Sequence, residues 1–245
     1  EVAITLDGGD ATDLLQLPVG QDVDITIGAA VGGLGLLNIE TIESRGTGFS
    51  TLTFASTSDV SDRYVDWQIN GDGEGTVGYV TGSTPGAATS FINFHNLEGG
   101  AEDDTFTFAN DTASLNSIIG TNDSAPLGGG EVNTLVGRIS GSNFTINGTD
   151  QGVVADATST TYLTDFTLIN ALQGSDAAVD NFTITNTGAF NGSLDGGGAS
   201  GDAITDTLEV QSVSATDNRW QITGDVDASH QVQRFDTAVQ STTTF

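Results

Sequence analysis

The feature that most constrains this chain is an internal repeat with a period of about 76 residues. Its first marker reads WQINGD at 67–72, FTINGT at 144–149 and WQITGD at 220–225. A second marker, an aromatic residue followed by a Leu-x-Gly corner, lies at 91–100 and again at 166–175, so it recurs with nearly the same spacing. Two independent markers that share one period predict about three equivalent units, each stacked on its neighbours.

Short runs in which apolar residues alternate with Thr, Asp or other polar residues recur along the whole chain. A period of two places the apolar residues on a single face, which is typical of half-buried β-strands. Clusters of Gly, Asn and Asp separate the runs and predict turns, and no stretch keeps a helical period. The sequence therefore predicts an all-β protein. The clearest runs lie at 2–6, 23–27, 52–54, 106–108, 144–146, 166–168 and 182–184.

A pair of glycines before a strand is a third marker, at 8–9, 128–129 and 196–197. The first two copies lie much further apart than one repeat period, so the first unit is predicted to carry a strand-like insertion. We therefore expect one elongated repeat domain, 1–245. Its predicted parts are unit 1 at about 1–90 with the insertion near 21–60, unit 2 at about 91–165 and unit 3 at about 166–245.

The spacing of the turn clusters favours a β-solenoid, a fold like the parallel β-helix. The clusters fall roughly every 20 to 30 residues, which is about the length of one coil, so each unit would contribute about three coils. Stacked coils bury inward apolar rows that a single coil leaves exposed. The alternative is a tandem array of β-sandwich modules. Such modules usually have about 100 residues, which fits the repeat less well.

The charge balance excludes several classes of partner. The chain has 33 acidic residues against five basic ones, all Arg, and a net charge of −28. Nucleic acids and anionic membranes are bound mainly through Lys and Arg, so neither is an expected partner. The chain has no Cys, which excludes disulfides and thiolate chemistry, and it has no apolar run long enough for a predicted membrane span.

The acidic turn GGAEDDTFT at 99–107 resembles the RTX nonapeptide G-G-x-G-x-D-x-U-x. The segment at 8–16 is a similar match, and the segments at 128–136 and 197–205 are weaker ones. RTX repeats bind calcium through turn carbonyls and an Asp carboxylate. The resemblance implies calcium as a possible cofactor. In these matches the third Gly is replaced, and the copies are isolated, so a plain Gly-Gly corner with its acids in water is the alternative. The metal ligands that the resemblance implies are Asp103, Asp104, Asp13 and Asp202.

A larger pattern covers roughly 91–235. The run F-x-x-F-x-N-L-x-G-G-x-x-D-D-T-F-T-F, followed by L-x-G-G-G and an apolar strand, resembles the β-strand repeats of very large secreted bacterial adhesins. Those proteins are also rich in Thr, Asp and Gly, poor in Lys and free of Cys. The resemblance implies a secreted or cell-surface stalk or fibre without catalysis of its own.

One alternative function is that of a β-helical enzyme or binding protein that acts on polysaccharides. A glycosidase needs only a suitably spaced pair of carboxylates. The two histidines, His95 and His230, form no metal-ligand spacing and are predicted to lie in turns or at the surface. Trp67 and Trp220 could stack on sugar rings, but Phe144 occupies the same place in the repeat. That exchange favours a core position.

Both ends of the sequence begin or finish in strand-like residues, 2–6 and 243–245, without a polar cap. Solenoids normally cover their terminal coils, because an open coil exposes an apolar row and unpaired strand edges. We therefore expect the ends to pair with copies of the same chain, head to tail, or with flanking repeats of a longer chain. Glycans are a further possible partner.

Overall fold

A computed structural model describes residues 5–7, 12–27, 35–37, 39–54, 63–81, 84–100, 103–121, 132–198, 206–211, 219–223, 231–235 and 240–244. The regular structure of these residues is β-strand, and none of them is helical. The prediction of an all-β protein is thus confirmed for this part of the chain. The described residues accordingly include no apolar helix that could cross a membrane. The chain divides into two compact units, 1–133 and 134–245.

The strands of the first unit form two main sheets and one separate pair. One sheet has the order β2-β5-β9-β8-β7-β11, the other has the order β12-β10-β6-β3, and β1 pairs with β4. The strands are β1 Thr5–Asp7, β2 Leu14–Gln16, β3 Asp24–Ile27, β4 Gly35–Leu37, β5 Thr41–Glu43, β6 Thr51–Phe54, β7 Arg63–Gly71, β8 Glu74–Thr81, β9 Thr84–Ile92, β10 Asn96–Glu98, β11 Asp103–Phe108 and β12 Leu115–Ile119.

The second unit also contains two sheets. Their strand orders are β20-β18-β14-β15-β16 and β13-β17-β19-β23-β22-β21. The strands are β13 Thr134–Val136, β14 Ser142–Gly148, β15 Gln151–Asp156, β16 Thr161–Thr167, β17 Ala171–Gln173, β18 Asn181–Ile184, β19 Ser193–Asp195, β20 Thr207–Val210, β21 Arg219–Thr223, β22 Gln231–Phe235 and β23 Gln240–Thr244.

Most pairs that are distant in sequence are parallel. In the first unit β2 pairs with β5 and β3 with β6, and in both cases the partner residue lies 27 positions further along the chain, as Leu14 opposite Thr41 shows. The chain thus visits two sheets in turn and adds a parallel strand to each. Mostly parallel sheets of this kind are consistent with a β-solenoid-like architecture.

Three-stranded antiparallel meanders interrupt the parallel passes, a feature that the sequence analysis did not predict. The meanders are β7–β9, β14–β16 and β21–β23. The first strand of each carries the first repeat marker. In the first two copies the Asn-Gly dipeptide of the marker leads into a tight hairpin turn, where Gly73 and Asp150 have φ of 67° and 50°. The repeat period is therefore the spacing in sequence between successive meanders, and plain parallel coils lie between them.

The second unit shows that successive meanders change sheets. Strands β14–β16 lie in the sheet that contains β18 and β20, whereas β21–β23 lie in the sheet that contains β17 and β19. From β16 to β21, each strand lies in the sheet opposite to that of the strand before it, so the chain crosses between the sheets an odd number of times. The meanders β14–β16 and β21–β23 are therefore offset by an odd number of half-coils. The number of coils in each unit, about three, stays a prediction.

The first repeat marker supplies core aromatic residues. Trp67 and Phe144 are completely buried. Each stacks on the aromatic residue opposite it in a parallel neighbour, Trp67 on Phe106 at 5.4 Å and Phe144 on Phe182 at 4.9 Å. The core position predicted for this marker is confirmed in both copies, and such a pair adds about 0.5–1.5 kcal/mol beyond its area burial. The side chain of Trp220 lies outside the described residues.

Candidate functional site

Many strands have a polar residue at or just before their start, at the corner where the chain enters the sheet. We call it the cap residue, defined as the residue two positions before the first inward-facing apolar residue of the strand. Asp104 precedes Phe106 in this way, and Asp180 precedes Phe182. Both aspartates are completely buried. A cap residue places hydrogen-bond acceptors beside corner backbone N–H groups, which would be costly to bury without partners.

The cap residues of neighbouring strands are joined by one recurring hydrogen bond. The backbone N–H of a cap residue donates to the side chain of the cap residue that comes next along the stack. This bond occurs in four parallel pairs, β2–β5, β3–β6, β14–β18 and β18–β20, and it also joins Asp104 to Asn133. The bonds are Asp13 N to Glu40 Oε2 at 2.7 Å, Val23 N to Ser50 Oγ at 3.2 Å, Asp104 N to Asn133 Oδ1 at 3.2 Å, Ser142 N to Asp180 Oδ1 at 2.6 Å and Asp180 N to Asp206 Oδ1 at 2.8 Å.

We call the cap residues joined by these bonds the ladder of cap residues. Within it, Asp180 has a raised pKa. Its Oδ1 accepts the N–H of Ser142 and its Oδ2 accepts the N–H of Ser175 at 2.7 Å. The pKa of Asp180 is raised to about 6, mainly by burial and to a smaller extent by the nearby Asp206 carboxylate, while the two accepted N–H bonds act in the opposite direction. Asp180 therefore titrates within a mildly acidic range, in contrast to an ordinary surface aspartate.

A buried arginine lies beside this ladder. The guanidinium carbon of Arg138 lies 3.9 Å from the centre of the Tyr162 ring, and Arg138 Nη1 lies 3.8 Å from Asp156 Oδ2. The Tyr162 hydroxyl and Ser142 Oγ are 2.7 Å apart. Burial raises the pKa of Tyr162 to about 12, so the phenol stays protonated at neutral pH. The cluster joins the Arg138 corner to a meander strand, and the stacked cation and ring are typical of a packing interaction.

The structure separates the two acids of the predicted calcium turn. Asp104 points inward, where its Oδ1 accepts the indole N–H of Trp67 at 3.1 Å and its Oδ2 accepts the N–H of Gly100 at 2.9 Å. Asp103 is exposed, and its Oδ1 accepts the N–H of Val132 at 2.8 Å. Successive residues of a strand face opposite sides of the sheet, so these carboxylates do not converge.

The other two predicted ligands are not brought to this turn either. Asp13 donates its N–H to Glu40, and its Oδ2 is buried without a hydrogen-bond partner. Asp202 lies outside the described residues. Among the residues that the structure describes, no group of three or more His, Cys, Asp or Glu side chains could hold a metal ion. Calcium binding therefore stays a prediction, and Asp13 is the predicted ligand with an unsatisfied oxygen.

His95 forms a polar contact in the first unit. Its Nε2 lies 3.4 Å from Asp72 Oδ1, and the same oxygen accepts the hydroxyl of Ser114 at 2.5 Å. In a hydrolytic triad the imidazole lies between the hydroxyl and the carboxylate and takes the proton of the nucleophile. Here the carboxylate occupies the central place, so the imidazole does not activate Ser114. The side chain of His230 lies outside the described residues.

The sequence analysis missed the ladder of cap residues. A signal was present, because Ser50, Asn133, Ser142, Asp180 and Asp206 each stand two positions before an apolar residue of an alternating run. Polar residues are common throughout this chain, however, and the spacing alone does not distinguish an inward acceptor from a solvated turn residue. The direction of each side chain becomes clear only from the folded corner.

Comparisons with known proteins give no functional precedent. No protein-family model, no curated protein and no solved structure matches the chain. The observations that bear on function are therefore the strands, the cap residues and the charge of the molecule itself.

Proposed function

We propose that this chain is a non-catalytic, secreted structural or adhesive protein: a β-solenoid that forms a repeat segment of a surface adhesin or the subunit of a surface filament. Its role would be to continue a stack of strands, either with copies of itself or with flanking repeats. The parallel passes support the solenoid, because each added strand presents an edge of the same kind to the next.

The observation that carries the proposal is the incomplete burial of the outermost strands. Inward residues of interior strands are completely buried, as for Ile42 and Phe182. The matching residues of the outermost strands, Leu15 in β2 and Leu208 in β20, are only half-buried. Burying the remaining apolar surface of these outermost strands would stabilise an assembly by about 25 cal/mol per Å². A further strand at each end would provide that cover.

The placement of polar groups also supports a structural role. The buried acids Asp104 and Asp180 accept backbone or indole N–H groups, and Arg138 stacks on Tyr162, so these groups serve the corners that they occupy. Trp67 is buried in the core and so offers no ring for sugar stacking. That burial removes one feature that favoured the polysaccharide-acting alternative.

The charge of −28 gives the assembly a dependence on salt. Surface charges of one sign repel, and the repulsion is screened within about 10 Å at 0.1 M ionic strength. Association should therefore strengthen as monovalent salt is added. Calcium should strengthen it at lower concentrations, through bridging or through the predicted turn sites.

Negative-stain microscopy and light scattering of the purified chain test the proposal. We expect extended polymers or rods, with scattering that rises with NaCl and rises more steeply with CaCl₂. Single globular particles under all conditions would contradict the structural role. Depolymerisation of a glycan by the purified chain would instead support the enzymatic alternative. A chelator that leaves the scattering unchanged would remove calcium from the proposal without affecting the rest.

A further inference from the structure

Resting on the adhesive form of this proposed function, we infer that the corner between β5 and β6 binds a saccharide. The corner comprises residues 44–50 and reads SRGTGFS, and we call it the β5–β6 corner. The ring of Phe49 stacks on the apolar face of one pyranose. The guanidinium of Arg45 donates hydrogen bonds to hydroxyl oxygens of a neighbouring sugar. The ligand is an oligosaccharide without net charge.

Phe49 presents an aromatic ring that the fold does not bury. The residue is 69% exposed, whereas every other aromatic side chain that the structure describes is buried or half-buried. An exposed ring keeps apolar surface in water, and contact with the apolar face of a ligand removes that surface from water. The ring of Phe49 is therefore accessible to a ligand and gains from being covered.

The same corner carries an exposed cation. Side chains are described for two of the five arginines, and Arg138 is buried while Arg45 is exposed. A guanidinium holds several N–H donors in a planar fork, an arrangement that suits adjacent oxygens of a ligand. The Cα atoms of Arg45 and Phe49, four residues apart, are separated by at most about 14 Å. A short oligosaccharide can therefore contact both side chains.

The backbone of the β5–β6 corner is fixed by hydrogen bonds. At its base the buried Ser44 hydroxyl donates to the buried Ser50 hydroxyl at 2.7 Å. From the neighbouring corner, Asp22 Oδ1 accepts the N–H groups of Thr47 and Phe49 at 2.6 and 3.2 Å. Three asparagine side chains donate to its carbonyl oxygens: Asn93 to Ser44 at 3.0 Å, Asn96 to Ser50 at 3.3 Å and Asn116 to Gly48 at 3.0 Å. A backbone that is fixed before binding loses little conformational entropy when the ligand binds.

The second unit contains a corner of the same length without these two side chains. Seven residues, 174–180, join β17 to β18, just as the seven residues 44–50 join β5 to β6. Counted from the start of the strand that follows, Val179 takes the place of Phe49, and Ser175 takes that of Arg45. The fold thus forms such a corner without an aromatic ring or a cation. Folding therefore does not account for the pair in the β5–β6 corner.

The charge of the chain favours a ligand without net charge. With a net charge of −28, the protein repels polyanions and other copies of itself at low ionic strength. A neutral oligosaccharide meets no such repulsion. It also combines apolar ring faces with hydroxyl groups, which match the ring of Phe49 and the donors of Arg45. These properties favour a neutral saccharide over an acidic peptide or a second copy.

Isothermal titration calorimetry of the purified chain with neutral oligosaccharides tests the site. The probes are cellohexaose, laminarihexaose, mannohexaose and galactohexaose. We expect binding of at least one of them, and Phe49→Ala should weaken it about tenfold because the stacked apolar surface is lost. Phe49→Tyr keeps the ring and should stay within about threefold of the wild type. Arg45→Ala should weaken binding about fivefold.

Val179→Ala is the matched control. It removes an exposed apolar side chain from the equivalent place in the other corner, so it should leave saccharide binding unchanged. Phe49 and Val179 are both exposed, and urea denaturation should therefore give nearly equal stability for the two alanine variants. Equal losses of binding in Phe49→Ala and Val179→Ala would overturn the site. The absence of binding to every one of these saccharides would overturn it as well.

Light scattering of the same samples distinguishes failure of the site from failure of the proposed function. Salt-dependent assembly without saccharide binding would refute the site and leave the structural role standing. A Phe49→Ala variant that loses assembly but not saccharide binding would show that the corner contacts a second copy, against this inference. Cleavage of a bound saccharide would contradict the non-catalytic role and leave the site standing. The absence of both assembly and binding would refute the two together.

Discussion

The two copies of the repeat marker whose side chains are described share a backbone design and differ in one donor to a buried carboxylate. Asp104 in the first unit and Asp180 in the second occupy the same cap position. Asp104 accepts the indole N–H of Trp67, and Asp180 accepts the backbone N–H of Ser142. Phe144, which replaces Trp67 in the second copy, carries no donor. In both corners a buried Asp carboxylate accepts two N–H groups. One of the two donors is an indole in the first corner and a backbone amide in the second.

Removal of either carboxylate should have the largest effect. Asp104→Ala and Asp180→Ala each leave two buried N–H donors without an acceptor, so we expect each to reduce the free energy of unfolding by roughly 3–5 kcal/mol. Urea denaturation followed by tryptophan fluorescence and circular dichroism measures the loss. The exposed neighbour variant Asp103→Ala should cost less than about 1 kcal/mol. Similar losses for Asp103→Ala and Asp104→Ala would show that burial does not set the difference.

The close approach of the first two meander strands is the feature that the two copies share most closely. A Cβ added at Gly75 would lie 2.1 Å from the Gln68 carbonyl oxygen, and one added at Gly152 would lie 2.1 Å from that of Thr145. Gly75→Ala and Gly152→Ala should each cost about 3 kcal/mol, because backbone must move. Gly20→Ala, with no atom within 4 Å but φ of +71°, should cost only about 1 kcal/mol in thermal or urea unfolding.

The pH dependence of stability should reveal Asp180. Its folded pKa of about 6 exceeds the ordinary value of 3.8, so the native state binds the proton more tightly than the unfolded state does. The contribution of this group is most favourable below pH 3.8 and is lost as the pH rises through 6. The loss is at most about 3 kcal/mol. Urea denaturation between pH 4 and pH 7 should give a difference between the wild type and Asp180→Asn that changes over this window. A constant difference would contradict the raised pKa.

Exchange of the aromatic residue should have the smallest effect and isolates the variable donor. Trp67→Phe removes the indole N–H from Asp104 while it keeps a ring at the stacking position. We expect a loss of about 1–2 kcal/mol in the free energy of unfolding. A double-mutant cycle with Asp104→Ala, which removes the acceptor, should give a coupling energy of at least about 0.5 kcal/mol. Additive losses would show that the indole contributes only by packing.

In the predicted calcium turn, the sequence does not predict which of two neighbouring acids is buried. Asp103 and Asp104 are chemically identical neighbours, and either could serve as a ligand in an extended turn. The folded strand directs Asp104 into the core and Asp103 into solvent, because alternate residues face opposite sides. The position of Asp104 depends on Trp67, 37 residues away, so no local pattern could predict it.

The sequence by itself determined the all-β class, the repeat period and the core position of Trp67 and Phe144, because alternation and repetition are local properties of the chain. Only the tertiary structure decided which strands pair in parallel, where the chain reverses into meanders, and which acids are buried as cap residues. Those outcomes depend on register between residues that are distant in the chain, as in the pairing of β10 with β12 and of β5 with β9. An alternating run can pair in either direction, and the contacts of its neighbours select one.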